Sequence, residues 1–175
     1  MKNMIKPIIV LTLICLITSL LLAAVNTVTK PVIEEYEAKK AAEACLAVMP
    51  DGNDFAEIEL PSVLPASVKA IYKEAGGGYV FKMVTSGFSS GYTIMCGISP
   101  DGKITGTTVL SHSETPGYGS KTAESDYTKR YIGEDKSMSL NGDTYLISGA
   151  TKSSTAFRAA IADAFSAYTI ITREG

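Results

Sequence analysis

Apolar residues dominate the start of the chain, which then becomes a regular mixture of apolar and polar positions. Between Lys6 and Lys30 there are 23 consecutive residues without a charge. As a helix rising about 1.5 Å per residue, the apolar part, residues 7–25, nearly spans a hydrocarbon core of roughly 30 Å. The pattern predicts a single transmembrane helix that anchors the protein in the lipid bilayer of the cell (inner) membrane.

Charges on either side of this segment predict its orientation. Lys2 and Lys6 precede it, whereas the acidic stretch 34–37 follows soon after Lys30. Because positive residues are retained on the cytoplasmic side, we expect the N-terminus in the cytoplasm and the C-terminal part outside it. A cleaved signal peptide is the alternative, since LLAAV offers small residues at a possible cleavage site, although the apolar segment is longer than usual for one.

Beyond the anchor, the spacing of apolar positions changes from helical to strand-like. Residues 31–50 predict an amphipathic helix with Pro31 in its first turn and Asp51-Gly52 at its end. Residues 55–67 carry two prolines and predict an irregular connector. Four runs of strand character follow, separated by glycine-rich turns: 68–75, 79–86, 92–99 and 103–112.

The last part of the chain predicts a short helix, a hairpin strand and a terminal helix, at 125–133, 141–148 and 153–172. The elements together predict an α+β fold class, with a single N-terminal transmembrane helix followed by an extracytoplasmic, mainly antiparallel sheet with flanking helices. We expect three parts: 1–29 as cytoplasmic tip and anchor, 30–52 as amphipathic stalk helix, and 53–175 as the extracytoplasmic domain.

Composition limits the chemistry available to this domain. The net charge is −2 and the 16 Lys and Arg residues are spread along the chain, so no basic patch indicates nucleic acid as a partner. Three cysteines without ligand spacing and a single histidine, His112, predict no metal site or iron–sulfur cluster. We predict that Cys45 and Cys96 do not pair, because a stalk-helix cysteine and a core-strand cysteine need not meet.

One short motif has an explanation without catalysis. Residues 87–91, GFSSG, match the G-x-S-x-G nucleophile elbow of α/β-hydrolases. That elbow needs a strand before it and a helix after it, whereas here another strand-like run follows at once. The motif therefore predicts a turn between strands.

A second short motif, SGAT at 148–151, stands at the start of the terminal helix. One interpretation is ordinary capping, in which Ser148 or Thr151 accepts hydrogen bonds from first-turn N–H groups. The other is an anion site, because a helix N-terminus offers unpaired N–H groups and a positive dipole end. Gly149 and Ala150 would let a phosphate approach the backbone, and Lys152 would add charge.

SGAT, preceded some thirty residues earlier by ETPG at 114–117, resembles the FMN-binding domain family of membrane redox complexes. The stretch 87–121, with its DGKI turn and ETPG-x-G loop, fits that family in order and spacing, and the anchor with its charged helix completes the likeness. The resemblance implies that 53–175 is an FMN-binding domain with covalent FMN, attached through its phosphate to Thr151. It further implies these cofactor-binding residues: Ser148, Gly149, Ala150, Lys152, Ser153, Ser154, Glu114, Thr115, Gly117, Tyr118 and Gly119.

Within this family the sequence is most similar to G subunits of the Rnf (Rsx) complex, with C subunits of sodium-translocating NADH:quinone reductases as the alternative. The resemblance implies a redox subunit that relays electrons between ferredoxin and NAD, with other complex subunits and a flavin transferase as partners. A membrane-tethered non-redox scaffold or sensor domain is the hypothesis from another class. Two positions depart from the family pattern: Tyr145 replaces a frequent aspartate, and Tyr118 a common leucine.

Overall fold

A computed structural model describes residues 2–138 and 143–174, and the chain forms two compact units, residues 1–41 and 42–175. Helix α1 runs from Lys2 to Val48. Within it, Ile8–Pro31 is long and apolar enough to cross a membrane. The sequence predicted that a separate helix begins at Pro31, but α1 continues through this residue. The stretch that follows is rich in alanine, glutamate and lysine, which have high helix propensity.

The second unit is built on a five-stranded antiparallel meander in the order β1-β2-β3-β4-β5. Its strands are Ala56–Ile58, Val68–Lys73, Tyr79–Thr85, Tyr92–Ile98 and Ile104–Ser111. The four predicted strands and the α+β fold class are confirmed. Strand β1, at one edge, lies in the segment predicted as an irregular connector.

Three short helical elements and one long helix complete the unit. They are a 3₁₀ turn at Gly119–Ala123, helix α2 at Ser125–Thr128, a 3₁₀ turn at Lys129–Tyr131, and helix α3 at Thr151–Glu174. The predicted short helix and terminal helix are thus confirmed, with α3 starting two residues earlier than predicted. Its apolar face packs on the sheet through residues such as Phe157 and Ile161, both fully buried.

Both faces of the sheet are covered. On one face, Ile94, Cys96 and Ile98 of β4 pack in the core under α3, as their alternation predicted. On the other face, Met95 packs with Cys45 and the neighbouring residues of the last turn of α1. The thiols of Cys45 and Cys96 are buried and free on opposite faces of the sheet.

The carboxyl end of α1 rests on a pair of glycines in the sheet. Gly97 and Gly106 are register partners, and an added Cβ on either would lie 2.8 or 2.7 Å from the Val48 carbonyl oxygen. A shift in register beside this pair leaves Thr105 as a bulge residue. Its Oγ1 donates to the Val48 carbonyl at 2.6 Å, which satisfies one of the open carbonyls at the helix end.

The segment before α3 corrects one prediction. The sequence predicted a strand at 141–148, and its described part, residues 143–148, consists of turns and irregular backbone. The Leu146 N–H donates to the Asp143 carbonyl at 3.0 Å, which closes a turn. The Tyr145 ring is buried and stacks on Tyr131, with centroids 4.6 Å apart. The buried aromatic residue in this segment therefore reflects packing beneath a turn instead of strand pairing.

Candidate functional site

Three segments that are distant in the sequence meet at the N-terminus of α3. They are the loop between β3 and β4, the ETPG loop after β5, and the SGAT turn that opens α3. Between them lies a pocket of about 380 Å³, within the usual range for small-molecule sites. Its lining consists of Phe88, Glu114, Thr115, Tyr118, Gly119, Gly149, Ala150, Thr151, Lys152 and Ser153.

Thr151 is the first residue of α3, and its side chain is exposed. The N-cap position is Ala150, whose carbonyl accepts the Ser154 N–H at 3.0 Å. Within residues 2–138 and 143–174, the hydroxyls of Ser148 and Thr151 make no hydrogen bond, so neither acts as the cap that one interpretation expected. The Thr151 hydroxyl is therefore available for other chemistry.

The first turn of α3 offers positive electrostatic potential to the pocket. In the described part of the chain, the backbone N–H groups of Thr151, Lys152 and Ser153 have no acceptor. Such groups at a helix N-terminus favour an anion. Gly149, with φ of +81°, makes the tight turn that brings the backbone to the pocket, since the left-handed conformation suits glycine. The arrangement fits a phosphate group.

Two exposed aromatic side chains stand at the pocket. Tyr118 is 59% exposed, and an added Cβ on Gly149 would lie 3.2 Å from its ring. Phe88 is 67% exposed, and the ammonium of Lys152 lies 5.8 Å from the centroid of its ring. Flat apolar rings that face solvent beside a pocket can cover a planar aromatic ligand.

Of the described residues, Glu114 is the only one that brings an ionisable carboxyl to the pocket lining, and it is 4% exposed. Its Oε2 accepts the N–H of Phe88 at 3.2 Å and the hydroxyl of Ser153, and its Oε1 accepts the N–H of Ser89 at 3.1 Å. Burial acts to raise the pKa of Glu114, but the hydrogen bonds from Ser153, Ser89 and Phe88 outweigh burial, so the pKa lies below its ordinary value.

The structure brings most of the predicted site residues together: nine of the twelve line the pocket. Three lie outside the lining. Ser148 is exposed. Ser154 is buried and supports the turn, because its Oγ donates to the Ala150 carbonyl at 2.9 Å and accepts the Ile147 N–H at 3.4 Å. Gly117, at φ of +76°, shapes the ETPG loop and donates its N–H to Ser120 Oγ at 2.9 Å.

The GFSSG motif is a bend between β3 and β4, so the predicted turn is confirmed. It nevertheless takes part in the site, which sequence reasoning missed, because Phe88 lines the pocket. An aromatic residue between two glycines was the available signal. His112 lies outside the lining, where its Nδ1 accepts the Glu114 N–H at 3.3 Å. Among the described residues, no group of three or more His, Cys, Asp or Glu residues could hold a metal ion.

Comparison with known proteins agrees with this geometry. Residues 87–166 match the FMN-binding domain family, and residues 1–48 match the RnfG N-terminal region. The fold, the pocket and this match thus define an FMN-binding domain, preceded in the sequence by a helix of membrane-spanning length.

Relatives extend the likeness over nearly the whole chain. The G subunit of an ion-translocating oxidoreductase complex of Methanosarcina acetivorans is 30% identical, over 89% of each chain. The G subunit of a proton-translocating ferredoxin:NAD(+) oxidoreductase complex of Clostridium ljungdahlii is 24% identical, over 93% of this chain and 90% of its own. A Na(+)-translocating counterpart from Acetobacterium woodii is 29% identical, over 82% and 74%. The chain belongs to the family of G subunits of ion-translocating oxidoreductase complexes, which confirms the resemblance found in the sequence.

Proposed function

We propose that this protein relays electrons through FMN bound covalently to Thr151, as the G subunit of an ion-translocating ferredoxin:NAD oxidoreductase complex. The observation that carries the proposal is the Thr151 hydroxyl. Thr151 is exposed and lines the pocket, its hydroxyl makes no hydrogen bond within the described part of the chain, and it lies in the turn with three unpaired backbone N–H groups. Esterification there would place the phosphate on the positive end of α3.

The pocket residues fit the rest of the cofactor. Lys152 would add a positive charge near the phosphate, and Gly149 lets the phosphate approach the backbone closely. Phe88 and Tyr118 would cover the flavin ring, and the volume of about 380 Å³ suits a ligand of this size. When bound, FMN supplies transfer of one or two electrons. The residues of the chain set its position, solvent exposure and hydrogen bonding.

The proposed reaction needs no general acid or base from this chain. The Glu114 carboxylate in the pocket already accepts three hydrogen bonds, and His112 lies outside the lining. We therefore regard the protein as a relay between neighbouring carriers. A covalent phosphoester would keep the flavin in place outside the cytoplasm, where a dissociated cofactor is lost by dilution.

Several partners follow from this proposal. The relatives are named as subunits of multi-subunit complexes that use ferredoxin and NAD, so we expect other membrane and peripheral subunits to contact this chain. A flavin transferase is needed to form the phosphoester. We further propose that the N-terminus is cytoplasmic and residues 42–175 are extracytoplasmic, because Lys2 and Lys6 precede the apolar segment.

The experiment compares wild type with Thr151→Val, each co-produced with a flavin transferase. Intact mass and in-gel flavin fluorescence after denaturation are the measurements, and Thr151→Ser is the matched variant that keeps a hydroxyl. We expect wild type to gain the mass of FMN less one water. The transferase would use a flavin–adenine dinucleotide as donor: the Thr151 oxygen bonds to the FMN phosphorus, the P–O–P bond breaks, and AMP leaves with the threonine proton. Thr151→Val should gain none and show no fluorescence.

A wild-type chain without added mass, despite a transferase shown to act on another substrate, would contradict the proposal and favour a non-redox scaffold. Flavin retained in Thr151→Val would place the attachment elsewhere. Co-purifying subunits distinguish the ferredoxin:NAD complex from a quinone reductase, and the names of the relatives favour the former.

A further inference from the structure

The Glu114 carboxylate joins all three segments of the pocket. It belongs to the ETPG loop, and it accepts hydrogen bonds from Phe88 and Ser89 of the β3–β4 loop and from Ser153 of α3. These donors are 26, 25 and 39 residues away in the sequence. Among the residues that the structure describes, no other carboxylate lines the pocket.

Two glycines, Gly87 and Gly119, leave room for this carboxylate. An added Cβ at Gly87 would lie 2.6 Å from Glu114 Oε1, and one at Gly119 would lie 2.7 Å from Oε2 and 2.6 Å from Ser153 Oγ. Since such distances are far below van der Waals contact, a side chain at either position would displace the carboxylate. Glycine at both positions therefore lets the carboxylate lie close to the β3–β4 loop and to the ETPG loop.

An ionised carboxylate only accepts hydrogen bonds, so it cannot bond to a phosphate, which also carries negative charge. Its hydrogen bonds go to the segments that carry Phe88 and the first turn of α3. The effect of Glu114 on a bound flavin would therefore pass through those segments.

We propose that Glu114 is a positioning residue that fixes the β3–β4 loop and the first turn of α3 to each other, and so holds FMN at one distance and orientation. This proposal rests on the proposed function. An electron relay needs a fixed flavin position. If the flavin position changed from one turnover to the next, its distance to the neighbouring electron carriers would change as well.

The test replaces Glu114 with glutamine, which keeps the shape of the side chain and introduces an NH₂ group. In either amide orientation, that NH₂ faces a backbone N–H, of Ser89 in one case and of Phe88 in the other. At least one hydrogen bond to a charged group is therefore lost.

Glu74 provides a matched control away from the pocket. It is 7% exposed, and its carboxylate accepts the N–H groups of Asn53 and Gly78, both at 3.4 Å. The Glu74→Gln variant removes a comparable interaction without touching the pocket lining. Thermal unfolding of both variants establishes that each is folded.

Two measurements follow on the full-length chain. In a flavin-free Thr151→Val background, we expect Glu114→Gln to accelerate hydrogen exchange at Phe88 and Ser89 by about tenfold, the value of one such hydrogen bond. Glu74→Gln should accelerate exchange at the backbone donors of that carboxylate, Asn53, Gly76 and Gly78, and leave exchange at Phe88 and Ser89 unchanged. In flavin-loaded chains with Thr151 intact, Glu114→Gln should lower the visible circular dichroism and fluorescence anisotropy of the flavin, and Glu74→Gln should leave both at wild-type values.

Unchanged exchange at Phe88 and Ser89 would overturn the proposal, as would accelerated exchange with wild-type flavin spectra. A wild-type chain that gains no FMN mass would refute the proposed function, and the positioning role with it. Intact mass distinguishes that failure from a failure of Glu114 alone.

Discussion

The contact between the carboxyl end of α1 and the glycine pair Gly97 and Gly106 allows a direct test of packing in the second unit. In Gly106→Ala, the new Cβ would lie 2.7 Å from the Val48 carbonyl oxygen and 3.0 Å from the Val48 Cα. Both are backbone atoms, so no side-chain rotation relieves the contact. Overpacking of this kind costs about 1–3 kcal/mol, and moving the carbonyl also weakens its hydrogen bond from Thr105, worth about 1 kcal/mol.

Alanine also has an advantage over glycine in a strand, of roughly 0.5–1 kcal/mol. The net loss in the free energy of unfolding is therefore about 2 kcal/mol. For a unit of residues 42–175, this loss corresponds to a Tm lower by roughly 6–10 °C. Near-UV circular dichroism of the tyrosines follows unfolding of the full-length chain in detergent, since the chain has nine tyrosines and no tryptophan.

Two further variants separate the steric and hydrogen-bond contributions. Thr105→Val removes only the hydrogen bond to Val48 and should lower the free energy of unfolding by about 1 kcal/mol. Thr108→Val, in the same strand, is the control, because its hydroxyl makes no hydrogen bond within the described residues. An unchanged or higher Tm in Gly106→Ala would refute the contact between the helix end and the glycine pair.

Two other predictions concern thiol reactivity and pH. Burial raises the pKa of Cys45 to about 12 and also raises the pKa of Cys96, so a maleimide near neutral pH should label neither thiol until the protein unfolds. The control Leu46→Cys places a thiol at an exposed neighbouring position and should react at once. Rapid labelling of Cys45 or Cys96 in folded wild type would contradict their burial. Hydrogen bonds from backbone N–H groups, that of Gly76 foremost, hold the pKa of Glu74 below its ordinary value of 4.5, and that of Glu114 is also lowered. The two carboxylates should stabilise the fold fully above pH 4.5, and this stabilisation should be lost as the pH falls through their lower folded pKa values. Between neutral pH and about pH 3, the Tm of Glu74→Gln should therefore fall less steeply than the Tm of wild type. Equal slopes would exclude this contribution of Glu74.

The sequence predicted those parts of the fold that have a strong period. Strands β2 to β5 and helix α3 bury one or both faces, so their apolar positions repeat every two residues or along one helix face. Strand β1 has three residues and precedes a proline-containing segment, so no period can appear in it. The predicted strand at 141–148 was wrong in its described part, residues 143–148, because the apolar residues there include Tyr145, which is buried by stacking on Tyr131 and not by strand pairing.

The candidate site divides in the same way. SGAT and ETPG are contiguous motifs, so a resemblance could assign them residue by residue. The role of Phe88 and the hydrogen bonds of Glu114 depend on segments that meet only in the folded chain. Tyr145, which departs from the family pattern that the sequence resembles, is now explained as a core residue, since its ring is buried against Tyr131.

The last turn of α1 has a practical consequence for making a soluble fragment. Cys45, Val48 and Met49 are buried in the unit that carries the pocket. Burial of the Val48 and Met49 side chains contributes about 1.5–3 kcal/mol each, against a typical total stability of about 5–15 kcal/mol. A fragment that begins after Met49 would expose Met95 and Val80 as an apolar surface prone to aggregation. A soluble fragment should therefore begin near residue 42, because the final turn of α1 is part of the folded domain.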